Sequence, residues 1–319
     1  MALTKLDKAA IIAIKDCMGT KKNERVLIIT DENKREIGYA LYKNSLRLGH
    51  ESFYLEMKSL DVNGQEPPDF IANAMLNADV ILCPTTKSLT HTKARINASS
   101  KGKRIATLPG ITKDVMVRGL NADYNKIAAL TLKLTKLMSK TKKIRVVTSK
   151  GTDITMDITG RTPIPSKGLF HKKGESGNLP TGEAFAAPLE GKTEGVFVAD
   201  GSFAGIGMLK TPIEIKVTKG YATEITGGKE AKALIKMLDK FGKKARNIAE
   251  IGIGTNDKVK LSGLLLEDEK KLGTVHIALG NNKSMGGKVY VPIHVDGVIK
   301  FPTVYFDNKM IMKRGKLLF

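Results

Sequence analysis

Four short apolar runs, RVLIIT (25–30), ESFYLEM (51–57), DVILCPT (79–85) and KRIATL (103–108), constrain this chain more than any other feature. Runs of this kind, with little polar alternation, mark strands covered on both faces. Between and around them lie stretches with helical spacing, over 4–18, 34–48, 68–76 and 90–99, and two more reaching about residue 139. Strands alternating with helices predict a parallel sheet with helices on both sides. The first part, 1–142, therefore reads as a doubly wound α/β domain, and SKTKKIR (139–145) as the passage out of it. In 143–319 the pattern changes to short strands such as RVVTS, DITMDITG, EGVFVADGS and IEIKVTKGYATEI, joined by Gly and Asp-Gly turns. One clear long helix, 228–244, interrupts them. The second domain is expected to be β-rich α+β, with a long polar loop over 161–182.

Several function classes fall away on composition. Net charge is +21, but the lysines are spread along the chain, there is no Trp, and no nucleic-acid-reading motif appears, so nucleic acid is an unlikely partner. No apolar run approaches the ~18 residues of a membrane span, and the N-terminus lacks the order of a signal peptide. Cys17 and Cys83 lie in apolar surroundings and form no CxxC, which predicts free buried thiols and a cytoplasmic protein. GxGxxG, the phosphate-binding GxxxxGK[ST], GxSxG and HExxH are all absent. GSFAGIG (201–207) reads as a hairpin turn, and the acids Glu267, Asp268 and Glu269 as a solvated turn.

Chemistry concentrates between Glu250 and Asp296. Two of the five histidines, His276 and His294, sit here in strand-like runs. Residues i and i+2 of a strand share a face, so His294 and Asp296 present an imidazole and a carboxylate side by side. Glu250 shares its face with Gly252 and Gly254, and His276 with Ala278 and Gly280, which leaves room beside each polar group. Imidazole plus carboxylate is a ligand set for zinc, manganese, cobalt or non-haem iron. Glu183 is a further carboxylate set among small and apolar residues. In the first domain the turn after the third strand, PTTKSLTHTKAR, lies where open α/β sheets bind ligands. It puts His91 and Arg95 four apart, on one face of the following helix, as candidate substrate contacts. His171, in the long loop, is read as an exposed histidine.

GNLPTGEAFAAP, AEIGIGTN, LEDEKKLGTVHIALG and HVDGV, in this order, together with THTKAR, resemble the aminopeptidase T family of metalloaminopeptidases. The resemblance implies an N-terminal α/β domain, a C-terminal metal-bearing domain and a homodimer around an enclosed cavity. It implies Glu183, Glu250, His276, His294 and Asp296 as ligands of two divalent ions (zinc, cobalt or manganese) that activate water against a peptide. The peptidases' catalytic tyrosine, seven residues after the first ligand histidine, falls at Lys283, which would then donate to the developing oxyanion. The leading expectation is thus a metal-dependent hydrolase of N-terminal residues. The sequence also resembles the 2,5-dihydroxypyridine dioxygenases, ring-opening enzymes with one non-haem iron. Their two-histidine, one-aspartate set maps onto His276, His294 and Asp296, with His91 as the candidate contact to an aromatic substrate. A basic binding protein with a vestigial site is the remaining alternative.

Overall fold

In the computed structural model, which describes residues 2–319, the chain forms two compact units. One comprises Met1–Ala128 with Lys167–Thr181, the other Ala129–Ser166 with Gly182–Phe319. The expected division, 1–142 and 143–319, cut the chain once. The segment 167–181, read as part of the second domain's loop, belongs instead to the first unit.

The first unit alternates helix and strand: α1 (Lys5–Ile11), β1 (Val26–Asp31), α2 (Arg35–Arg47), β2 (Ser52–Met57), α3 (Asp69–Asn77), β3 (Val80–Cys83), α4 (Lys93–Ser100), β4 (Arg104–Thr107) and α5 (Lys113–Leu120). Helix α1 opens on a capping box, Thr4 and Asp7 each closing the other's backbone N–H. It passes into a π-helical turn over Ile12–Cys17, which accounts for the longer helix expected there. The strands pair in the order β2-β1-β3-β4-β8, all parallel. β1, β3 and β4 are buried along their whole length, and Leu27, Ile81 and Ile105 pack with Ile71 and Met75 of α3 and Ala98 of α4. Helix α6 (Tyr124–Met138) runs on from this unit into the second.

The second unit holds β5 (Lys143–Val147), β6 (Asp153–Asp157) and β7 (Ile164–Ser166) before the chain leaves to give β8 (Ser176–Asn178) to the first. Strand β8, SGN, has no apolar pattern to announce it. Its place on the sheet edge is fixed by backbone bonds, such as Ile105 N–H to Glu175 O and Leu179 N–H to Thr107 O. The chain returns with β9 (Glu183–Ala186), β10 (Thr193–Ala199), β11 (Ser202–Phe203), β12 (Gly207–Met208), β13 (Ile213–Thr218), β14 (Tyr221–Thr226) and α7 (Lys229–Asp239). It ends with β15 (Ile248–Gly254), α8 (Leu265–Asp268), β16 (Thr274–Gly280), β17 (His294–Lys300), β18 (Thr303–Phe306), β19 (Lys309–Lys313) and β20 (Lys316–Leu317). Two antiparallel sheets result, β14-β13-β10-β6-β5-β18-β19-β20 and β12-β11-β17-β16-β15-β9-β7. One core lies on both: Ile144, Val146, Ile154 and Phe197 of the first with Ile251, Ile253, Val275 and Ile277 of the second, and Leu234 and Leu238 of α7.

The acids 267–269 do not form the solvated turn expected of them. Glu267 and Asp268 end α8 fully buried. Their carboxylates accept the backbone N–H groups of Lys260, Ser262 and Gly263, so they close a loop from within. Both cysteines are free and buried, and burial pushes the Cys83 thiol up to about 12. No described helix is long and apolar enough to cross a membrane.

Candidate metal centre

Four neighbouring strands, β9, β15, β16 and β17, build the site by their register. Glu250 pairs with Ala278, and Ala278 on its other side with Asp296. Gly252 pairs with His276, Gly280 with His294 and Gly254 with Glu183. Residues paired across a sheet share a face, so all five polar side chains lie on one face, each beside Gly or Ala on the next strand. The sequence located the small residues along each strand, whereas the pairing shows they act across strands. At Gly252 the need is explicit, because a Cβ there would lie 2.0 Å from His276 Nε2. The opposite face carries Ile251, Ile253, Ile277 and Leu279 into the core.

The polar groups converge. His276 Nε2 lies 3.2 Å from Glu250 Oε1 and 3.4 Å from Glu183 Oε2. His294 Nε2 lies 3.3 Å from Glu250 Oε2 and 3.5 Å from Asp296 Oδ1. His294 Nδ1 donates to Asn281 O at 2.9 Å, which turns Nε2 toward the carboxylates. His276 is fully buried, and Glu183, Glu250 and Asp296 nearly so, while His294 is part-exposed.

The charges are strongly perturbed. Burial works against a charged Glu250, yet its hydrogen bonds to His276 and His294 and the charge of both rings hold its carboxyl well below the usual range. Burial likewise opposes the imidazolium of His276, but the Glu250 hydrogen bond and the charges of Glu183, Glu250 and Asp296 raise it to about 9. His294 is raised well above its ordinary value against burial, by Asp296 and Glu250.

Two residues outside the expected ligand set complete the cluster: Glu269, read from the sequence as part of an acidic turn, and Lys270, not singled out there. Lys270 is buried, donates to Glu183 Oε1 at 2.6 Å and forms a short bond to Glu269 Oε1. Burial opposes its charge, but Glu183 and Glu269 more than offset this and raise it above the ordinary lysine range. Burial, aided by the charges of Glu183 and Asp296, lifts Glu269 to about 7 against the pull of Lys270. In LEDEKK a lysine among acids looks like a solvated turn, and no spacing distinguishes it.

The remaining expected site residues have these surroundings. His91 and Arg95 belong to the first unit. His91 is an exposed turn residue ahead of α4. Thr92 caps that helix by accepting Arg95 N–H, so His91 and Arg95 do not share a helix face as expected. Arg95 donates through Nε to Thr90 O and through Nη1 to Ser176 Oγ. Lys283 is an exposed residue of the short helical turn after β16, its Nζ 5.8 Å from the centre of the Tyr290 ring. His171 Nε2 lies 2.8 Å from Asp16 O, a structural contact.

The donor set fits a divalent ion. Ligand atoms of Glu250, His276 and Asp296 lie within 4.8 Å of one another, as do those of Glu183, Glu269 and His276. Glu183 Oε2, Asp296 Oδ1 and His276 Nδ1 are buried without a hydrogen-bond partner. Buried acceptors on two carboxylates, aimed at imidazoles, are what a cation would satisfy.

Comparison with known proteins decides between the two resemblances. The family model for 2,5-dihydroxypyridine 5,6-dioxygenase matches residues 13–319. The 2,5-dihydroxypyridine 5,6-dioxygenase of Pseudomonas putida is 24% identical over 263 residues, 77% of this chain and 72% of that protein. The solved structure of 2,5-dihydroxypyridine dioxygenase from Pseudomonas putida superposes with a TM-score of 0.85 at 18% identity, covering 99% of this chain and 98% of that one. AmpT from Thermus thermophilus shares the fold at a TM-score of 0.73 and 17% identity, covering 99% of each chain. The peptidase expectation is thereby corrected: family model and relative both point away from a hydrolase, and with it go the zinc or cobalt pair and the oxyanion role of Lys283.

Proposed function

This chain belongs to the 2,5-dihydroxypyridine 5,6-dioxygenase family, and on that premise we propose that it is an iron-dependent dioxygenase opening the ring of a dihydroxylated pyridine. The observation that carries the reading is that His276, His294 and Asp296 share one sheet face, with Asp296 grouped with His276 and Glu250 and lying 3.5 Å from His294. Two imidazoles and one carboxylate are the set that holds non-haem Fe(II) while leaving positions open. Bound ferrous iron would supply the open positions and the relay by which electrons pass from a hydroxylated ring to dioxygen.

The protein's own groups prepare that encounter. Asn281 O fixes the tautomer and rotation of His294, so that Nε2 faces the pocket. Glu250 spans the two rings, one oxygen toward each, and holds both in place. The sheet behind them is dry and apolar, which limits the ways these side chains can relax. Both atoms of dioxygen end in the product as one ring C–C bond breaks.

The test is oxygen uptake. Wild-type protein reconstituted anaerobically with Fe(II) is expected to consume oxygen only when 2,5-dihydroxypyridine is added, and His276→Ala to consume none. Absence of uptake from the iron-loaded wild type with any dihydroxypyridine contradicts the proposal.

A further inference from the structure

A buried lysine beside a metal pocket is unusual, because an ammonium is costly to remove from water unless acids surround it. Lys270 is 2% exposed, and its Nζ bonds Oε1 of both Glu183 and Glu269. Those two acids, with His276, form the second of the two groups able to hold an ion. Glu250, His276 and Asp296 form the first. The two groups share His276, whose Nε2 can hold one ion, so a second ion would have to rest on Glu183 and Glu269 beside it.

We propose that the Lys270 ammonium is a built-in cation occupying the second ion position, so that the chain takes a single divalent ion beside His276, His294 and Asp296. This rests on the metal reading above and names the residue that sets the number of ions. An ion between Glu183 and Glu269 would meet the ammonium at close range, where Oε1 of both acids is already bonded to Nζ and Glu183 Oε2 is left toward His276. Glu183, which the peptidase resemblance gives to a two-ion set, thus has a partner that is covalently part of the chain. Lys270 touches no substrate. It is a specificity-determining residue, holding the Oε1 atoms that an ion there would need.

The test counts ions rather than turnover. Full-length protein, stripped with chelator, is titrated with Mn2+ and read by equilibrium binding and electron paramagnetic resonance. Wild type is expected to saturate at one Mn2+ per chain with an uncoupled signal. Lys270→Met is expected to saturate at two, with a signal broadened by coupling between neighbouring ions. Lys270→Leu, which likewise offers no donor to Glu183 or Glu269, is the second variant should Lys270→Met not fold, with the same expected count. Two ions in the wild type, or one in a folded Lys270 variant, overturns the role given to Lys270 and leaves the site reading standing. A wild type that takes no Mn2+ overturns both.

Discussion

Gly252 and His276 face each other across β15 and β16, and the imidazole fills the space a side chain at 252 would need. The collision is with a ring fixed by Glu250 and Glu183, not with the end of a flexible chain. Gly252→Ala is therefore expected to displace His276, lowering stability by about 1–3 kcal/mol and weakening divalent-ion binding by at least about tenfold. Thermal melting and Mn2+ titration measure the two effects, and unchanged ion affinity would contradict this packing. At this scale the sequence was readable where chemistry is rare: two histidines, a His-x-Asp and small neighbours. Lys270 was not readable, since lysine is abundant in this chain and only β9 meeting β15 brings Glu183 to it.

Among elements, short apolar runs carried the strands of the first unit, Gly and Asp-Gly turns marked off those of the second, and helical spacing carried the helices. The His294–Asp296 pair followed from strand geometry alone, and β16 and β17 place it against His276. Cross-strand register was not legible, because pairing partners are set by loops far apart in sequence. One acidic feature misled, because charge in a loop reads as solvation: Glu267 and Asp268 are the buried anchors of the 260–263 loop. Asp268→Ala leaves the N–H groups of Ser262 and Gly263 without their acceptor. A loss of about 2–4 kcal/mol in urea unfolding is expected. A loss under about 0.5 kcal/mol would show that the loop finds other partners.

For the whole molecule, the α/β unit followed by a β-rich unit was legible, since each declares its own periodicity. The exchange of residues 167–181 was not, because β8 joins its sheet through backbone pairing and polar side chains, with no apolar pattern to announce it. Chemistry was harder to read than fold. The same architecture superposes on a dioxygenase and on AmpT. Fold alone therefore does not select the reaction. Lysine at 283, where the resemblance puts the peptidases' catalytic tyrosine, is a departure from that family in the sequence, and the family match carries the decision. The central claim is that the iron-loaded sheet face adds dioxygen across a ring bond. Its most direct measurement is mass spectrometry of the product formed from 2,5-dihydroxypyridine under oxygen-18 gas in ordinary water. The account predicts a ring-opened product carrying both heavy oxygen atoms. Unchanged pyridine, or an opened product whose new oxygens come from water, would contradict it.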